Sequence, residues 1–336
     1  MYKRDTMLDI LKGVGMLFVV YAHVCKNSTS SFLYLFHMPL FFFLTGAAMS
    51  YSSVKAFNFR KRIARIVIPY LVFSILSFLY WTFIESKFRP IHDDSIYPGV
   101  LGTLDIQWQQ LINISLAVSF EDAFQYNVVL WYLPCLFVSI MLYVFISNSF
   151  GRFKAVGVFL SALFGFMLIH LRLPWCFEIA LITVPFLYVG NLLYGYLKSR
   201  PIIGLFSFLF SLVLILVFSP SVDMRTHQYG EWWQFYIVSI GLIAFTISLC
   251  YKVDGKEFGL IQWFGRNSLA IMCIHEPIKR IMLVLIAKCF SVEVSVLRGS
   301  GLFSLGCTIL IIGALVPIVL LINNYFPFVV GNKSKC

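Results

Sequence analysis

Apolar stretches of about 18 residues or more recur from one end of this chain to the other, each long enough to cross the hydrocarbon layer of a bilayer. Of its 336 residues, 60% are hydrophobic and only 12% are charged, against about 25% charged in an ordinary soluble domain. So few charges cannot cover a surface that faces water. The expected fold is all-α, a polytopic helical bundle embedded in lipid. Neither a low-complexity linker nor a long polar segment divides the sequence, so residues 1–336 read as one membrane-embedded domain with no separate soluble domain.

Apolar runs and their polar breaks predict about ten spans, at 6–26, 32–52, 64–84, 127–147, 155–171, 177–197, 202–219, 232–251, 267–289 and 302–323. Lys3 and Arg4 ahead of an apolar run resemble the start of a signal peptide. Asp9 and Lys12 interrupt that run, however, and no small-x-small cleavage site follows, so a retained first helix is expected. Lysine and arginine stay on the cytoplasmic side of membrane proteins. Sixteen of them fall in one set of loops, including the stretch 53–65, whereas Lys26, Lys87, Arg89, Arg172, Arg225 and Arg298 make up the other set. Both termini are therefore expected in the cytoplasm. Asp93, Asp94, Asp105, Glu121, Asp122, Asp223 and other acids collect on the opposite, outer side. The longest hydrophilic stretch, about 85–126, is an outer loop whose Tyr97, Trp108 and Tyr126 could stack on a carbohydrate.

Composition also excludes some chemistry. The net charge of +11 is scattered through short loops rather than gathered on one face, so no nucleic-acid partner is expected. The eight cysteines lie mostly in or beside apolar spans without metal-ligand spacing, which indicates neither a metal site nor a disulfide framework.

The first span carries the most informative side chains. Ionisable groups inside a membrane helix cost roughly 2.5–3.5 kcal/mol each on insertion scales, so they usually face the protein interior and are used there. Asp9, Lys12 and His23 are three such groups. At 100° per residue, Lys12 and His23 differ in direction by about 20° and Asp9 lies about 60° from Lys12, which places all three on one face. Along the axis Lys12 and His23 are roughly 16 Å apart and cannot touch. Lys12 would meet an anionic or carbonyl group near the cytoplasmic mouth, while His23, able to take and return a proton near neutral pH, would act deeper in the bundle. Snorkelling for Lys12, helix-start placement for Asp9 and an interhelical hydrogen bond for His23 are the bland alternatives.

In the second span, His37 and Pro39 open the aromatic run Phe41-Phe42-Phe43, which ends in Gly46, Ala47 and Ala48. Proline frees a backbone carbonyl, and small residues let another helix approach closely. The ninth span holds His275, Glu276, Lys279 and Arg280 around Pro277. Glu276 reaches Lys279 and Arg280 at helical spacing, which predicts a local ion pair. Asn267 and Ser268 fit a helix start and are expected to cap it. Trp131 is either an interface anchor or a stacking surface.

These landmarks stand in the order found in the acyltransferase-3 family of membrane O-acyltransferases, and the sequence resembles in particular its fucose-4-O-acetylase-like branch. The resemblance rests on Asp9, Lys12-Gly13, the basic residue preceding His23, the Phe36-His37-Met38-Pro39-Leu40-Phe41 run, and Arg60-Lys61-Arg62 with Ile68-Pro69-Tyr70. It continues through Leu130-Trp131-Tyr132-Leu133-Pro134 and Gly265-Arg266-Asn267-Ser268-Leu269, followed by His275. Lysine at position 12 departs from the arginine common there, keeping the charge but not the bidentate geometry.

The resemblance implies a ten-helix domain that takes an acetyl group from cytoplasmic acetyl-CoA, used as a substrate rather than held as a cofactor, and passes it to an acceptor hydroxyl. It places the essential histidine at His23, counts Lys12 and Asp9 with it as catalytic candidates farther along the same helix face, and makes His275 a channel residue. His37, Trp131 and Glu276 are further channel candidates. Arg60, Lys61, Arg62 and Arg65 would hold the acyl-CoA phosphates, unless they are only a positive-inside anchor. The expected acceptor is a sugar of a surface polysaccharide or its precursor, lipid-linked or not, at a bacterial inner membrane. A transporter or flippase is the rival reading, because polar groups on broken helices also serve translocation; it leaves the motifs between Asp9 and His275 unexplained.

Overall fold

The computed structural model describes residues 5–50, 58–85, 107–118, 127–251 and 259–331. Helices account for nearly all of them. They are α1 (Thr6–Val24), α2 (Ser28–Tyr34), α3 (His37–Ser50), α4 (Phe59–Arg62), α5 (Ile68–Tyr80) and α6 (Gln107–Leu116). Then come α7 (Tyr132–Phe150), α8 (Lys154–Met167), α9 (Phe177–Ser199), α10 (Pro201–Phe218) and α11 (Trp232–Tyr251). The chain ends in α12 (Gly259–Arg266), α13 (Ser268–Phe290), α14 (Val294–Gly299) and α15 (Gly301–Tyr325). One isolated bridge, Asp223 to Gln228, is the β-pairing among the described residues. The protein is an all-α, polytopic helical membrane protein.

Among the described residues, eight helical stretches are long and apolar enough to cross a membrane. One of them, Val128–Met167, is 40 residues long and takes in two of the predicted spans. It turns back between α7 and α8 at Gly151, whose φ of 49° favours glycine. The span predicted at 267–289 is α13, a 23-residue helix kept out of those eight by the charges of Glu276, Lys279 and Arg280. Every predicted span therefore corresponds to helix. The outer loop expected at 85–126 falls largely outside the described residues, as do Tyr97, Tyr126 and the side chain of Trp108; α6 is its described part.

Burial separates an inner group of helices from a lipid-facing rim. In the Ser28–Ser50 stretch 78% of the apolar window is buried, and in α1 67%, but only 17% in α10 and 28% in α15. Helices apolar all round bury themselves in a bundle or face lipid, and small residues decide which can approach closely. A Cβ on Gly46 would meet the carbonyl of Leu187, and one on Gly190 the carbonyl of Phe43, so α3 and α9 touch backbone to backbone through reciprocal glycines. Gly13 against Ile261 and Gly265 against Asp9 do the same for α1 and α12.

Two prolines show how broken helices are re-satisfied here. Pro39 cannot donate to the carbonyl of Leu35, four residues earlier; that oxygen instead accepts from the Ser239 hydroxyl of α11 at 2.6 Å. Pro277 likewise releases the carbonyl of Cys273, which accepts from the Asn127 amide at 2.8 Å. Both prolines therefore tie their helix to another element while leaving it in the bundle.

Polar contacts join loops and helix ends at both ends of the bundle. At one end Lys198 meets Asp5 at 3.2 Å and Arg266 meets Asp9 at 3.4 Å. At the other, the amide of Lys26 donates to the carbonyl of Arg298 at 2.8 Å, and Glu178 meets His227 at 3.0 Å.

Candidate active site

At the end of the bundle that carries Lys26 and Arg298, a cavity of about 500 Å³ is walled by the last turn of α1, by α2, by the start of α3 and by α13. Residues 128–131 and the hairpin around Asp223 and Arg225 complete the wall. That volume is within the usual range of small-molecule sites, about 300–1,000 Å³. His23, His37, Trp131 and Glu276 all line it.

Three imidazoles converge here from three helices. The His23 ring lies 5.4 Å from that of His275 and 6.5 Å from that of His37, centroid to centroid, and Tyr34 packs against His37 at 4.8 Å. Nδ1–H of His37 donates to the carbonyl of Leu33 at 2.8 Å, and Nδ1–H of His275 to that of Ile271 at 2.9 Å. A carbonyl can only accept, so each of these Nδ1 atoms carries the proton of its bond. Exposure distinguishes the three rings: the His37 and His275 residues are 1% and 0% exposed, whereas the His23 side chain is 16% exposed. His23 is thus the imidazole that a molecule in the cavity can reach.

Glu276 faces it. Its Oε2 lies 3.7 Å from Nδ1 of His23, an electrostatic contact rather than a closed hydrogen bond. The same carboxylate accepts from Nζ of Lys279 at 2.8 Å through each oxygen, and from Nε of Arg280 at 3.0 Å. The predicted local ion pair is present, and it holds Glu276 in place beneath His23. Carboxylate and cations are almost wholly buried, and a buried charge needs partners of this quality to persist. His23, His275 and Glu276 offer ligand atoms all within 4.8 Å of one another. Lys279 and Arg280 engage both carboxylate oxygens of that group.

Arg298 organises the site in a way the sequence did not reveal beyond counting it among the outer cations. Helix ends leave carbonyls without intrahelical donors. Arg298 donates from Nε to the carbonyl of Val24 and from Nη2 to that of His23, both at 3.0 Å. A buried cation thereby closes the C-terminus of α1, where the dipole favours positive charge, and fixes the backbone that presents His23. Its being one of six basic residues in the outer loops was the available signal. Tyr34 and Asn127 were also not singled out, since nothing local distinguishes them.

Other expected residues lie elsewhere. Asp9 is buried and paired with Arg266 near the opposite end of α1, where its carbonyl also receives the close approach of Gly265. Lys12 does not line the cavity around His23, as the axial rise between the two requires. Arg60, Lys61 and Arg65 are exposed and Arg62 half-buried on α4 and the turn after it, away from this cavity. Asn267 does not cap α13 as expected. Its amide donates to the carbonyl of Trp263 at 2.8 Å and its oxygen accepts from Asn323 at 2.7 Å, a bond that links α13 to α15 and competes with the capping geometry.

No curated protein and no solved structure matches the chain. A family model described as an acyltransferase domain, acyltransferase-3, does match it, over residues 5–323. That span runs from the cap of α1 to the last turns of α15 and so encloses every side chain of the cavity. A family model matching this much of a chain of membrane-spanning helices shows the family: the protein is a multi-pass membrane acyltransferase of the acyltransferase-3 family.

Proposed function

We propose that the protein is an O-acetyltransferase that takes acetyl from cytoplasmic acetyl-CoA and delivers it to a hydroxyl of a sugar in a surface polysaccharide or its precursor, in a bacterial inner membrane. The observation that carries this reading is the reachable His23 imidazole, with its Nδ1 turned toward Glu276 in a cavity large enough for a sugar. With Nδ1 held on the carboxylate side, Nε2 is the nitrogen left to work on an acceptor, and Glu276 favours the positive charge that the ring gains on taking a proton. The hydroxyl proton passes to His23 as the acceptor oxygen attacks the thioester carbonyl and the CoA thiolate leaves. Transfer through an acetyl-histidine uses the same nitrogen in two steps, the thiolate leaving first and the acceptor displacing the ring second.

The orientation drawn from the lysine and arginine count supports this assignment of sides. It puts the cavity mouth, with Lys26, Arg225 and Arg298, outside, and Arg60, Lys61, Arg62 and Arg65 inside, where the donor's phosphates would be met. Lys12, midway on the polar face of α1, would lie along the route of the pantetheine arm. The acceptor's resemblance-based assignment to the fucose-4-O-acetylase-like branch agrees with a cavity walled by Tyr34 and Trp131, whose rings can stack on a sugar.

The test is transfer of labelled acetyl from acetyl-CoA to candidate glycans by the full-length protein in nanodiscs, beside His23→Ala. General acid–base catalysis contributes about 10²–10⁴-fold, so His23→Ala should lose at least that much transfer while still inserting in the membrane. Full turnover by the variant would remove His23 from the mechanism, and solute movement without acetylation would make the protein a transporter.

A further inference from the structure

Among the described residues, the cavity wall carries an excess of positive charge that moving an acetyl group onto a neutral sugar does not require. Among the described residues lining it, the cations are Lys26, Arg225, Lys279, Arg280 and Arg298. The carboxylates are only Asp223 and Glu276. Glu276 is engaged by Lys279 and Arg280. Asp223 uses Oδ1 to accept from the backbone amide of Arg225 at 3.0 Å, shaping the hairpin on which Arg225 stands. Among the described residues, five positive groups and two negative ones line this single cavity.

Clefts lined by one sign of charge between low-dielectric walls focus their field and concentrate ligands of the other sign. A neutral saccharide is recognised by hydroxyl-matching donors and acceptors and by aromatic faces, which Tyr34, Trp131 and Gln228 already supply. We infer that the acceptor bound in this cavity carries an anionic group, a phosphate or carboxylate, close to the hydroxyl that is acetylated, with Arg225 and Lys26 at the rim as its binding side chains. The inference rests on the acetyltransferase reading for the hydroxyl and on the charge of the cavity for the anion. The acetyl donor's phosphates are not the anion in question, because the cavity is walled by the loops of the acid-rich end, whereas Arg60, Lys61, Arg62 and Arg65 stand apart from it.

Two sources share this chemistry: an acidic sugar next to the modified residue, and the diphosphate of a polyprenyl carrier. Three acceptors built on one sugar separate them, a neutral glycoside, the same glycoside beside a uronate, and the polyprenyl diphosphate-linked form. With full-length protein in nanodiscs, one anionic form should exceed the neutral one in kcat/KM by about tenfold or more, one well-placed charge contact being worth about that factor. The uronate arm winning assigns the anion to the glycan, and the diphosphate arm winning assigns it to the carrier. Arg225→Gln should shrink the preference by about tenfold. Equal use of all three acceptors by the wild-type protein, or an Arg225→Gln effect that falls on the KM for acetyl-CoA instead, overturns the proposal.

A second readout is independent of transfer. Inorganic pyrophosphate or glucuronate should raise the Tm of the wild-type protein, and less so that of Arg225→Gln with Lys26→Gln. Stabilisation without any label transfer would keep the anion site and discard the acetyltransferase reading. Transfer without anion preference or stabilisation would do the reverse.

Discussion

Glu276 shows how a single side chain serves structure and chemistry together. It stands one residue after His275 and one before Pro277, touches His23 across a helix interface, and holds two cations of its own helix. Removing one member of a buried ion-pair group leaves the others uncompensated, a loss of about 3–5 kcal/mol. Glu276→Gln is therefore expected to lower stability by an amount in that range, visible as a fall in Tm in detergent, and to lose transfer as well. A variant that keeps wild-type stability would show that Lys279 and Arg280 are neutralised by other groups. His23→Ala differs in kind: its ring is partly exposed to the cavity and its removal leaves no buried charge behind, so activity should fall far more than Tm.

Between elements, the packing of α3 on α9 and of α1 on α12 is set by glycines whose missing side chains admit a backbone. Gly190→Ala would drive a Cβ into the carbonyl of Phe43, and overpacking of this kind costs about 1–3 kcal/mol. At Gly195, farther along the same helix, no atom beyond its own helical turns lies within 4 Å of where a Cβ would stand, so Gly195→Ala serves as its control. Thermal unfolding should show Gly190→Ala destabilised and Gly195→Ala unchanged or slightly stabilised by its better helix propensity. Equal behaviour of the two would contradict the close approach of α3. The prolines act at the same scale. Pro39 and Pro277 each leave a carbonyl that another element satisfies, and that is how the helices carrying His37 and His275 are fastened to α11 and to Asn127.

For the molecule as a whole, the arrangement of charge at its two ends predicts an orientation. Ser221, on the exposed part of the hairpin beside the cavity, should face outward, and Arg200, at the joint of α9 and α10, should face the cytoplasm. With Cys289 and Cys336 replaced, a cysteine introduced by Ser221→Cys should react with a membrane-impermeant maleimide on intact cells. One introduced by Arg200→Cys should react only after lysis. The opposite pattern would invert the protein and place the cavity on the donor side, which would reassign its positive lining to the phosphates of acetyl-CoA.

Hydrophobic run length determined the all-α bundle and the positions of its spans, because a bilayer admits so few ways to satisfy a backbone that composition alone selects one. Local helical geometry likewise made the shared face of Asp9, Lys12 and His23 and the pairing of Glu276 with Lys279 and Arg280 readable in advance, since residues three, four and eleven apart keep fixed relations whatever surrounds them. Which of these groups meet was decided only in three dimensions. His23 and Glu276 are 253 positions apart in sequence, and Arg298 reaches the end of α1 from 275 residues beyond His23. No periodicity within a helix encodes such contacts, which depend on how glycines and prolines set one helix against another, and it is that packing which turned scattered polar residues into one cavity.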